Sequence, residues 1–65
     1  MKINLRELRI ENDMTIRGLA RISGVNAGTI SKIERGMMIP SVLIICKLCC
    51  ALNVGIEKMV YCEEE

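Results

Sequence analysis

The side chains best equipped for chemistry fall in two groups. Asn26, Thr29, Ser31, Lys32 and Arg35 give one short stretch an amide, two hydroxyls and two cations, spaced by apolar residues. Groups of this kind hydrogen-bond and neutralise an anionic surface; they do not make or break bonds. The second group is four cysteines, Cys46, Cys49, Cys50 and Cys62. Three of them sit at i, i+3 and i+4 of a predicted helix, where disulfide geometry is rarely met. A four-thiolate zinc or iron–sulfur site would need Cys62 to fold back onto that helix, and no histidine or paired Cys-x-x-Cys supports one. No metal and no cofactor are therefore expected. With no histidine and no phosphate-binding loop, the chain is not expected to be an enzyme.

Charge is unevenly placed. The net charge of +1 hides a first half, residues 1–36, in which seven basic residues oppose four acidic ones, and a second half in which two oppose four. The basic half contains the polar stretch, which points to an anionic partner on that side and an acidic tail at 63–65.

Sixty-five residues make one domain, and a chain this short buries only about 60% of its unfolded surface. Its 51% hydrophobic content is aliphatic, with no Phe or Trp and Tyr61 as the sole aromatic residue, which favours packed helices over a sandwich or barrel. The chain should form five short helices and no strands. Asn4-Leu5-Arg6-Glu7 has capping-box form and opens a helix over about 4–12. Thr15 caps a second, with Ile16, Leu19, Ala20 and Ile22 as its apolar side, closed by Ser23-Gly24. Asn26 caps a third, in which Ile30 and Ile33 lie opposite Ser31, Lys32 and Arg35, ending at Gly36. Ser41 caps a fourth running to about Leu52, and Ile56–Tyr61 makes a last turn or two. The longest apolar run, Ile39 to Cys46, is broken by Pro40 and Ser41 and falls far short of the roughly 20 residues of a membrane span. No signal peptide is apparent and a cytoplasmic location is expected.

Only Ser23-Gly24-Val25-Asn26 separates the second helix from the third, so the two must cross steeply. Ala20 allows the close approach, and the third helix is left with its N-terminus and outer face free for a groove roughly 12 Å wide. The run Leu19-Ala20-Arg21-Ile22-Ser23-Gly24-Val25-Asn26-Ala27-Gly28-Thr29-Ile30-Ser31-Lys32-Ile33-Glu34-Arg35-Gly36 resembles the signature of the Cro/cI-type (Xre) family of phage-repressor-like helix-turn-helix domains. Pro40-Ser41, Leu48 and Ala51-Leu52-Asn53-Val54 extend the resemblance over about residues 4–61.

The resemblance implies an all-α, lambda-repressor-like bundle of five helices, with the helix-turn-helix unit at 15–35. It implies a sequence-specific transcriptional regulator, a repressor in most relatives, working on double-stranded DNA as a homodimer. The positions matching the family's DNA contacts are Thr15, Arg17, Asn26, Ala27, Gly28, Thr29, Ser31, Lys32 and Arg35, with Arg21 as a further backbone candidate. Arg9 and Glu34 match a structural ion pair between the first and third helices. Cys46 and Cys49 occupy positions that the family fills with small or apolar core residues, and Cys50 is then the thiol most open to oxidation.

Three departures thin the reading surface: Ile16 where relatives often carry Gln, Ala27 where a long Gln or Arg is frequent, and Met37-Met38-Ile39 where the loop is commonly basic. On the fourth helix the family pattern would bury Val42, Ile45, Cys46, Leu48 and Cys49 and expose Leu43, Ile44, Lys47 and Cys50. That apolar surplus marks a partner face, with Met37, Met38, Ile39, Leu43, Cys50, Val54 and Met59 as candidate dimer contacts. Two alternatives stay open: a protein-interaction module of the same fold, antitoxin- or antirepressor-like, binding a protein partner through the apolar face, and a thiol- or metal-sensing regulator.

Overall fold

Thr15, Asn26 and Ser41 each begin a helix by accepting a hydrogen bond from a backbone amide of its first turn, Gly18 at 3.0 Å, Gly28 at 2.7 Å and Ile44 at 3.2 Å. These caps set the starts of α2 (Ile16–Ser23), α3 (Ala27–Glu34) and α4 (Val42–Leu52). The computed structural model describes residues 2–62, so the acidic tail at 63–65 lies outside the described residues. Two further helices, α1 (Leu5–Glu11) and α5 (Ile56–Met59), complete the five helices of the described chain. None is long and apolar enough to cross a membrane.

The ends of the chain depart from the expected all-helical pattern. Residues Lys2–Ile3 form β1 and Val60–Tyr61 form β2, paired antiparallel with Lys2 opposite Tyr61 and Ile3 opposite Val60. The last helix is therefore a single turn, and the chain leaves it extended. The Asn4 capping box does not form. Asn4 instead donates its backbone amide to the Met59 carbonyl at 2.8 Å and its side-chain nitrogen to the Lys58 carbonyl at 3.3 Å. The residue read as a local cap is a long-range clamp joining the two ends.

Helices of four to eleven residues are too short to persist alone in water and depend on what they bury. Leu5, Leu19, Ile30, Leu48 and Met59, one from each helix, are almost wholly buried and meet at the centre. Val25, between α2 and α3, joins them, and so do Ile33, Ile45 and Leu52. Gly24 closes α2 with φ +76°, a left-handed conformation that disfavours any residue with a Cβ, and this reverses the chain toward α3.

Two expectations about burial are corrected. On α4 the core stripe is Ile45, Leu48, Cys49 and Leu52, so Val42 and Cys46 are exposed while Ile44 is half-buried against the core. The stripe begins one turn later than the family pattern suggested. Met59, expected on a dimer face, is 0% exposed, because the single turn of α5 directs it inward beneath the strand pair.

Candidate nucleic-acid interface

The candidate interface is built outward from α3. Its inner face is fixed by Ile30 and Ile33, which are buried, while Asn26, Gly28, Lys32 and Arg35 are exposed and Ala27, Thr29 and Ser31 half-buried. Along an eight-residue helix and its two cap residues this leaves an amide, two hydroxyls and two cations at least partly accessible.

Asn26 uses its side-chain oxygen on the Gly28 amide, which leaves its NH2 group to donate outward. A Cβ on residue 28 would come within 3.0 Å of that oxygen, so glycine keeps the cap undisturbed even though it offers no side chain to a partner. The start of α2 repeats the device: Thr15 caps the Gly18 amide, and a Cβ at 18 would approach the Thr15 hydroxyl to 3.2 Å. Arg17 and Arg21 are exposed on α2. Two helix N-termini, each with its partial positive charge and uncommitted amides, thus accompany the cations.

What holds α3 at its angle is an ion pair. Arg9 Nε donates to Glu34 Oε2 at 2.7 Å and Nη2 to Oε1 at 3.1 Å, a two-pronged contact between α1 and α3. The third prong, Nη1, donates to the Met14 carbonyl at 2.8 Å and ties down the loop before α2. Both side chains are shielded, with 13% of Arg9 and 7% of Glu34 accessible. The hydrogen bonds that Arg9 donates to Glu34 hold its pKa above the ordinary value against the opposing cost of burial. The Met14 carbonyl was not anticipated, because nothing in residue types marks which backbone oxygen will face an arginine.

Ile16 settles one question about the surface. It is half-buried and packs against the core, so the start of α2 is not an apolar patch. Ile22, expected on the buried side of α2, is exposed instead, as are Ile10, Ile56 and Tyr61, while Met37, Ile39, Val42 and Leu43 are exposed together on the loop after α3 and the start of α4. Of the other expected interface residues, Cys50 is exposed, while Met38 and Val54 are half-buried against the core. Val42, at 72% exposure, is the member of this patch that was missed.

Cys49 is buried and Cys46, Cys50 and Cys62 are exposed, and among the described residues no three metal-ligating side chains cluster. The four-thiolate site considered for a sensor is not assembled.

Comparisons with known proteins agree with this geometry. A helix-turn-helix family model matches residues 5–59. The uncharacterized HTH-type transcriptional regulator YgzD of Bacillus subtilis is 34% identical over 65 residues, covering all of this chain and 98% of its own. The HTH-type transcriptional repressor RghR of the same organism is 43% identical over 58 residues, 88% of this chain but 43% of the longer repressor. Among solved structures, the restriction-modification controller protein C.AhdI from Aeromonas hydrophila superposes with a TM-score of 0.81 at 33% identity, over 85% of this chain and 83% of that one. The chain belongs to the Cro/cI-type (Xre) helix-turn-helix family of DNA-binding transcriptional regulators.

Proposed function

We propose that the chain represses transcription by binding double-stranded DNA as a homodimer, with α3 of each copy laid in the major groove. The observation that carries this reading is the two-sidedness of α3: Ile30, Ile33 and Glu34 pin it to the body, while Asn26, Gly28, Lys32 and Arg35 are exposed. Lys32 is the longest reader and suits guanine O6 and N7, and Thr29 and Ser31 offer hydroxyls to base edges. Asn26, Arg17, Arg35 and the helix N-terminus behind Thr15 suit phosphates. With Ala27 and Gly28 contributing no polar side chain, groove shape and DNA deformability carry part of the discrimination.

The same surface favours DNA over a purely protein-binding role. An antitoxin- or antirepressor-like module would want its old DNA face apolar, yet Ile16 packs inward and the one run of exposed apolar residues is on the loop after α3 and the start of α4, with Ile10, Ile22, Ile56 and Tyr61 exposed on four other elements. That patch, Met37, Ile39, Val42 and Leu43, is the proposed dimer contact, with Cys50 two turns along α4 at its margin. The chain acts by binding, without catalysis or a resident cofactor, in the cytoplasm.

Selection from a library of random duplexes tests this. A two-fold dimer enriches a palindrome whose half-sites lie about 34 Å, or one helical turn, apart. Failure to enrich any duplex, or enrichment of a lone asymmetric half-site, contradicts it.

A further inference from the structure

Along α2 and α4 runs a shallow, open cavity of about 380 Å³ lined by Ile22, Ser23, Cys46, Lys47, Cys50 and Ala51. None of the proposed DNA contacts lines it, and only Cys50 is shared with the margin of the proposed dimer contact. Cys46 and Cys50 are four apart on α4, so their Cβ atoms stand roughly 5–6 Å apart on one face. Both are exposed, and both border the cavity. Cys49, one residue before Cys50 and a near neighbour of Cys46 on the helix, is buried in the core and does not line the cavity.

The ligand count decides which ion such a pair can hold. Thiolates favour soft metals: Cu(I), zinc and iron–sulfur clusters. Structural zinc requires four ligands and an iron–sulfur cluster four cysteines. Here the cavity wall supplies two thiols and neither a carboxylate nor an imidazole, and no third metal-ligating group gathers with them among the described residues. Cu(I) is the ion in this set that two thiolates can satisfy, in a linear arrangement. Two metal–sulfur bonds of about 2.3 Å, end to end, span about 4.6 Å, a distance that side chains at this spacing can bridge. Binding one Cu(I) releases two protons to solvent and leaves a complex of charge −1. The ammonium of Lys47, on the same wall, offsets that charge, while Ile22 and Ala51 provide apolar cover.

We propose that Cys46 and Cys50 form a two-coordinate Cu(I) site in the cavity between α2 and α4. The test is an oxygen-free titration of the reduced full chain with Cu(I) in competition with a chromophoric Cu(I) chelator. The wild-type chain takes up one tightly held copper per chain. Cys46→Ser and Cys50→Ser each weaken it at least a hundredfold, with the helical circular dichroism unchanged because both positions are exposed, and Cys62→Ser leaves it intact. Copper affinity retained in both Cys46→Ser and Cys50→Ser, loss in Cys62→Ser, or one copper shared between two chains overturns the proposal.

Discussion

Arg9 and Glu34, 25 residues apart in the chain, meet through two hydrogen bonds of 2.7 and 3.1 Å, and this contact joins α1 to α3. Surface pairs of this type contribute little, but shielding changes the balance: removing one partner strands the other's charge where water cannot fully reach it. Arg9→Ala and Glu34→Ala should each cost about 3 kcal/mol, a large share of the stability of so small a domain. Arg9→Lys should recover only part of this, since one ammonium cannot reproduce the two-pronged contact and the bond to the Met14 carbonyl together. Urea denaturation followed by circular dichroism measures all three, and equal stability of wild type and Glu34→Ala contradicts the assignment.

Lys32 is exposed, so its removal separates binding from folding. Lys32→Ala should leave the unfolding midpoint within experimental scatter while weakening the selected duplex about tenfold or more, the usual range for one base-reading contact. Asn26→Ala should do both, losing about 1 kcal/mol of cap energy along with DNA affinity. Paired unfolding and fluorescence-anisotropy titrations distinguish the two behaviours.

The dimer patch predicts a third separation. Ile39→Lys combined with Leu43→Lys places charge on residues 77% and 64% exposed, so the monomer fold should survive. Sedimentation should show a monomer, and affinity for a palindromic duplex should fall about a hundredfold as the two half-sites cease to act together. A variant that still sediments as a dimer removes this surface from the account.

The thiols sort by burial. Cys46, Cys50 and Cys62 should react promptly with a thiol reagent under native conditions, and Cys49 only on unfolding. Burial, reinforced by the neighbouring Cys46 and Cys50, pushes the Cys49 thiol up, so it stays protonated and unreactive at neutral pH. Four equal rates would contradict the α4 register described above.

The helix-turn-helix unit was legible from sequence because its signals are local. Thr15 and Asn26 as caps, Gly24 as a reversal and the Ile30–Ile33 spacing act over three or four residues, and each does what its chemistry dictates. The departures come from tertiary contacts. Asn4 in front of Leu5 and Glu7 carries the composition of a cap, but the Lys58 and Met59 carbonyls compete for it from the far end of the chain. Two-residue strands such as Lys2–Ile3 and Val60–Tyr61 are too short to show alternation, so their pairing left no pattern to read. On α4, nine of the eleven residues are Val, Leu, Ile or Cys, and so uniform a helix has several plausible buried stripes. Only the placement of α2 and α5 against it decides that Cys49 is inside and Cys46 outside.

The central claim is that α3 and its cations meet DNA, and the salt dependence of binding tests it most directly. If Arg17 and Arg35 of two copies contact phosphates, about four counterions are displaced, and a plot of log affinity against log salt should fall with a slope on the order of −4. Arg35→Ala in both copies should flatten that slope by nearly two. Affinity that barely changes between low and physiological salt, or a slope untouched by Arg35→Ala, contradicts the placement of α3 against DNA.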